Sequence, residues 1–169
     1  MESLIPTMEV RHLSKEDLWQ VRELALKIFP VTYKEIVEPE QIDYMMELFY
    51  TPENLLKQFD SGQIFLVIDK EGIPSGYASY TLLNKKRDYK LNKIYVDTRL
   101  QGKGLGRNLL NDVISRVKTA DGKSLQLNVN KYNKAVGFYK SMGFVVKKEE
   151  LLDIGRGYFM DDFVMELAL

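Results

Sequence analysis

Gln101-Gly102-Lys103-Gly104-Leu105-Gly106 is the stretch that decides how this 169-residue chain folds. It separates an apolar, strand-like run, Leu91 to Val96, from a helix-like run, Leu105 to Val117. Glycines there turn the backbone tightly and bring its N–H groups close to a ligand. A helix start adds unpaired N–H groups and the positive end of the helix dipole. Together they suit a pyrophosphate, and Lys103 and Arg107 add positive charge beside it. Two other glycine-rich signatures fit poorly. A P-loop needs Gly-Lys followed by Ser or Thr, but Gly104 and Leu105 follow Lys103. The dinucleotide fingerprint needs a third glycine where Arg107 stands, and it normally opens a fold rather than lying past its middle.

A second motif lies downstream. Asn133-Lys134-Ala135-Val136-Gly137-Phe138-Tyr139 is followed by Lys140-Ser141-Met142-Gly143-Phe144. The order is Q-x-x-G-x-G before a helix, then a strand, then N-x-A-x-x-F-Y-x-x-x-G-F. With this pair the chain resembles the GNAT superfamily of acetyl-CoA-dependent N-acetyltransferases. The resemblance covers the segment from about Ile64 to the C-terminus; the N-terminal third matches in pattern only.

The composition is that of an ordinary globular chain, with 45% hydrophobic and 28% charged residues. Lys plus Arg equals Asp plus Glu, 24 each, so nothing points to nucleic-acid binding, which usually shows a net basic domain. The lack of cysteine excludes disulfides, cysteine nucleophiles and thiolate metal sites, and no metal site is expected. No apolar stretch approaches the ~20 residues of a membrane span. Residues 1–10 do not read as a signal peptide. The expectation is a cytoplasmic protein of one domain, 1–169.

The periodicity predicts a strand over Met8 to Leu13. Ser14 with Asp17 reads as a capping box that starts a helix, and Pro30 stops it after Phe29. Leu18, Val21, Leu24, Ala25 and Ile28 form its apolar face. A second helix spans Pro39 to Phe49. Thr51-Pro52-Glu53 reads as an N-cap with proline at the first helical position, opening a third helix to Phe59. Strands follow over Ile64 to Ile68, Pro74 to Leu83 and Tyr89 to Val96. The long helix from Gly104 to about Thr119 turns Leu105, Leu109, Val113 and Val117 inward. A strand over Ser124 to Val129, a helix over Asn133 to Met142 and strands over Phe144 to Leu152 and Tyr158 to Leu167 complete a mixed α/β chain. The resemblance implies that these elements build a central, mostly antiparallel, splayed sheet flanked by helices.

The resemblance also implies a V-shaped split between two central strands, with acetyl-CoA lying in it. It sets the backbone of Ile94, Tyr95 and Val96 beside the pantetheine arm. It sets Gln101, Gly102, Lys103, Gly104, Leu105, Gly106 and Arg107 around the pyrophosphate, and Asn133 in a hydrogen bond to the co-substrate. Lys131, Lys134 and Lys140 are the candidates for the adenosine 3′-phosphate. The reaction is attack of an amine on a thioester. It needs a neutral amine and a protonated leaving thiolate. Tyr139, near the sulfur, is the acid; a phenol of pKa ~10 is protonated at neutral pH. A backbone N–H in the Tyr95–Val96 region polarises the thioester oxygen. The base is not assigned. Where many relatives carry a glutamate this chain has Asn92, whose amide accepts no proton at neutral pH. A water relay and a carboxylate from the N-terminal helices both stay open. His12, the one histidine, is expected to be structural or exposed.

The acceptor is a small-molecule amine, and an acidic run points to a polyamine such as spermidine or spermine. Glu35, Glu38, Glu40, Asp43 and Glu47 crowd one region, where a cation would be drawn. The segments Phe29 to Glu35, Thr51 to Leu55 and Tyr158 to Met165 resemble bacterial spermidine/spermine N-acetyltransferases. Tyr33, Glu35 and Glu38 are the acceptor-side candidates. The alternatives are a peptide, protein or other small-molecule amine acetyltransferase, and a non-catalytic CoA-binding sensor. The apolar last strand, Phe159 to Leu167, suggests a homodimer formed by pairing or exchanging C-terminal strands.

Overall fold

The computed structural model describes residues 7–100 and 104–169. Its elements follow the expected order: β1 (Met8–His12), α1 (Trp19–Tyr33), α2 (Pro39–Tyr50), α3 (Pro52–Asp60), β2 (Ile64–Lys70), β3 (Ile73–Leu82), β4 (Asp88–Val96), α4 (Leu105–Thr119), β5 (Ser124–Asn130), α5 (Ala135–Ser141), β6 (Val145–Gly155) and β7 (Tyr158–Ala168). The strands form one seven-stranded sheet in the order β1-β2-β3-β4-β5-β7-β6. Every neighbouring pair is antiparallel except β4 and β5, which run parallel. A parallel pair needs a crossover connection, and α4 supplies it. No helix among the described residues is long and apolar enough to cross a membrane.

Each face of the sheet carries its own core. On one, α4 buries Leu105, Leu109, Val113 and Val117 against Leu66, Leu125, Leu127 and Met165, with α5 beside it. On the other, α1 to α3 bury Val21, Leu24, Ile28, Ile42, Met45 and Leu55 against Phe65, Val67 and Tyr77. Thr51 caps α3 as its sequence requires, its hydroxyl accepting the Asn54 N–H at 3.1 Å.

Three local expectations fail. Pro30 does not stop α1, which continues to Tyr33. Proline forfeits one N–H bond, to the carbonyl of Leu26, a residue on the exposed side of the helix. Burial of Phe29 and Tyr33 holds the extra turn in place. Ser14 caps no backbone N–H; its hydroxyl donates to Asp17 at 2.9 Å, and a 3-10 turn precedes α1. The last strand offers no pairing edge, because β7 lies between β5 and β6 and is bonded on both sides. The sheet edges are β1 and β6.

A cluster of tyrosines ties the helices to β3 and β4. The Tyr77 hydroxyl donates to that of Tyr50 at 2.7 Å, with both side chains fully buried. Tyr77→Phe keeps the ring but leaves the Tyr50 oxygen without its donor. An orphaned buried polar group costs about 1–3 kcal/mol. Urea denaturation should therefore show a lower midpoint at unchanged slope; an unmoved midpoint would mean the pair contributes nothing.

Candidate active site

The β4–β5 pairing is short. Only Asp88 to Leu91 pair with Ser124 to Leu127; beyond them β4 runs on to Val96 and β5 to Asn130 unpaired with each other. A bulge at Asn92 marks the parting. Opposite β3, Tyr80 pairs with Leu91 and Ser79 with Lys93, so Asn92 is the extra residue. The parted strands wall a cleft of about 740 Å³. Its other walls are the end of α1 with the segment to Ile36, the start of α4, and the Tyr132–Ala135 turn with Phe138 and Tyr139 of α5.

The open edge of β4 presents backbone. The Asp97 N–H donates to Ser75 of β3 at 2.8 Å. N–H groups alternate sides along a strand, so those of Ile94 and Val96 turn the other way, toward the cleft. Tyr95 instead turns its N–H to β3 and its ring to the helices, its hydroxyl 3.0 Å from that of Tyr33.

Gly104, at the start of α4, has φ +80°, a left-handed conformation that favours glycine. It hands the chain into α4, and the first amides of α4 stand without helical partners at the cleft. Gly104, Leu105, Gly106 and Arg107 all line it. Gln101, Gly102 and Lys103 lie outside the described residues. Asn133 lines the cleft as well; its side-chain oxygen accepts the Ala135 N–H at 2.9 Å, which leaves its amide hydrogens for a ligand.

Tyr139 lines the cleft and is 7% exposed. Burial, with Tyr33 nearby, holds its hydroxyl far above the ordinary tyrosine range, so it carries its proton at any physiological pH. Burial likewise lifts Tyr33 to about 12.

The structure disperses several expected residues. Lys140 is exposed and does not line the cleft. Lys131 pairs with Asp161 at 2.9 Å and Glu149 at 3.2 Å, so its charge is spent inside the fold, whereas Lys134 lines the cleft. Glu35 stands in the cleft wall, but Glu38 is exposed outside it. Glu40, Asp43 and Glu47 line a second hollow with Tyr44, Tyr158 and Arg156, whose guanidinium lies 3.7 Å from Glu47. His12 is exposed on β1 and lines neither.

Two polar residues went unmarked in the sequence. Lys93 lines the cleft at 8% exposure and joins no ion pair among the described residues. Asp162 of β7 is 1% exposed, and one carboxylate oxygen has no partner among the described residues; the other accepts from Asn128 at 3.3 Å. Strict alternation would send Asn92 and Lys93 to opposite faces of the sheet, and the bulge cancels it.

A glycine turn opening a helix, a bare strand edge, and an amide and a phenol facing them form a cleft suited to a pyrophosphate on an extended thioester arm. Residues 33–158 match the model of an acetyltransferase (GNAT) domain. The chain belongs to the GNAT family of acetyltransferases, whose co-substrate is acetyl-CoA. The PaiA N-acetyltransferase of Thermoplasma acidophilum, solved with coenzyme A, superposes with a TM-score of 0.80 at 25% identity, over 96% of this chain and 99% of that one. An uncharacterised N-acetyltransferase of Methanocaldococcus jannaschii is 28% identical over 152 residues, 86% of this chain but 64% of the relative, so this chain spans less than two thirds of that protein. The peptidyl-lysine N-acetyltransferase YjaB of Escherichia coli is 29% identical over 119 residues, 69% of this chain and 71% of the relative.

Proposed function

We propose that residues 1–169 act as one N-acetyltransferase domain, moving the acetyl group of acetyl-CoA to an amine by direct attack on the thioester. The parting of β4 from β5 supports this most strongly, because it leaves the N–H groups of Ile94 and Val96 facing a cleft bounded by the α4 start and Tyr139. When bound, acetyl-CoA supplies the activated acetyl group. The first turn of α4 and Arg107 hold its pyrophosphate, and the Asn133 amide hydrogen-bonds its arm. An N–H of Ile94 or Val96 polarises the thioester oxygen. Tyr139 gives its proton to the departing sulfur. Thiol release with a mixed amine panel tests this. Release that no amine accelerates would favour a CoA-binding sensor.

For the acceptor, we propose a polyamine. Glu35 supports this in the cleft wall, and Glu40, Asp43 and Glu47 add negative charge in the second hollow, flanking α2. Exposed ion pairs contribute only ~0.2–1 kcal/mol each, so several must act together to select spermidine over a monoamine. We expect kcat/KM for spermidine to exceed that for butylamine and to fall as salt rises, since the Debye length shrinks from ~10 Å at 0.1 M to ~3 Å at 1 M. Glu35→Lys should raise KM a few-fold with little change in kcat. Equal, salt-indifferent rates with both amines would instead support a peptide or neutral acceptor, the direction in which the peptidyl-lysine relative points.

A further inference from the structure

We propose that Lys93 is the proton acceptor for the incoming amine, a role that rests on the acetyl-transfer reading above. The bulge at Asn92 is the geometric cause. Before it, Leu91 packs with the α4 core; after it, Ile94 packs with that core again. Two consecutive residues, Asn92 and Lys93, therefore turn to the opposite face, where α1 and α2 lie. Lys93 Nζ sits 5.6 Å from the centre of the Tyr50 ring, on a floor shared with Tyr95 and Tyr33. That floor begins where β4 and β5 separate, one residue before the bare N–H of Ile94.

A buried ammonium without a counter-ion is costly, so the neutral amine is favoured. Burial, reinforced by the positive charge of Lys90, brings Lys93 down to about 8. The other titratable or charged groups around this part of the cleft are Tyr33 of α1 with Lys34 and Glu35 just after it, Tyr50 from α2, Tyr77 from β3, Tyr95 from β4 and Tyr139 from α5, with Asp162 of β7 beyond Asn128. All four buried tyrosines on the helix side are held protonated by burial, so none of them takes a proton near neutral pH, whereas the lowered Lys93 amine can.

The proton count closes. The acceptor R–NH3⁺ gives one proton to the Lys93 amine, which becomes an ammonium and later releases it to solvent. The freed amine forms the new C–N bond as the C–S bond breaks. Tyr139 protonates the thiolate, and the second proton lost from the nitrogen restores the Tyr139 hydroxyl. The net products are the amide, the thiol and one proton.

The test measures thiol release with a primary amine from pH 6.5 to 10 for the wild type, Lys93→Met and Lys93→Arg, with acetyl-CoA affinity measured by calorimetry. Both variants should bind acetyl-CoA normally and lose about 10²- to 10⁴-fold in kcat/KM for the amine at pH 7.5. The deficit should shrink toward pH 10, because an alkylamine with pKa ~10.4 then deprotonates unaided. A pH-independent deficit, or none, overturns the proposal. Carbon NMR of Lys93 in the wild type guards against misfolded variants: titration near 8 supports the role, and titration at the ordinary lysine value overturns it. A wild type that binds acetyl-CoA but acetylates no amine overturns the transfer reading, and this role with it; a competent wild type with unaffected variants overturns this role alone.

Discussion

Tyr139→Phe is expected to lower kcat by about 10²- to 10⁴-fold while leaving acetyl-CoA affinity nearly unchanged, the range for loss of one acid–base group. In energy that is about 3–5 kcal/mol of barrier. The substitution removes one oxygen and keeps a ring that packs against Phe138 and Phe144, with centroids 5.5 and 5.8 Å away. Stability should therefore hold, and any loss reports on chemistry. The hydroxyl is held protonated by burial, so it is charged with its proton before the thiolate forms. Its contribution should not fade between pH 6 and 9, since a group whose folded pKa lies far above that window does not titrate within it. Stopped-flow or steady-state thiol release measures this directly. A variant with near-normal kcat would show that the thiolate leaves unprotonated, or takes its proton from elsewhere.

Gly104→Asp is expected to weaken acetyl-CoA binding at least a hundredfold. Two effects combine. An L-residue at φ +80° is strained, though Asp tolerates this region better than most. Its carboxylate would also face the pyrophosphate across the open start of α4. Like charges ~4 Å apart repel by about 4 kcal/mol at an effective dielectric of ~20. Gly104→Ala separates the two, since it brings the strain without the charge. Among the described residues a Cβ at this position meets Asn108 alone, at 3.7 Å, an ordinary contact that the Ala variant accommodates. Calorimetric titration should rank the wild type tightest, Ala next and Asp far weaker. Equal affinity of the Asp and Ala variants would remove the pyrophosphate from this turn.

What the sequence disclosed depended on the range of the forces involved. Local chemistry was legible: the Thr51-Pro52 cap, the 3.6-residue spacing of Leu105, Leu109, Val113 and Val117, and the change of period after Gly62. The order of all twelve main elements followed from such signals. Pro30 misled because its local cost was outweighed by distant packing of Phe29 and Tyr33. The site divided in the same way. Gly104, Asn133 and Tyr139 sit in contiguous motifs, and the structure brings them to one cleft. Lys131 looked free but is paired with Asp161 and Glu149 on neighbouring strands. Lys93 carried no signal in the sequence, because a bulge leaves no local mark and only the pairing with β3 reveals which way its side chain turns.

The bare edge of β4 also bears on how such a protein can change over time. A strand edge is recognised through N–H and C=O groups, which every residue except proline carries. Substitutions at Ile94 or Val96 alter what packs behind the strand without erasing what it offers in front. The rest of the lining has no such protection: Tyr33 and Glu35, with Asn92 and Lys93 at the bulge, present side chains, and each substitution there changes the surface of the cleft. One wall is thus buffered against mutation and the other exposed to it. A lineage built on this frame can exchange acceptors freely while its acyl donor stays the same.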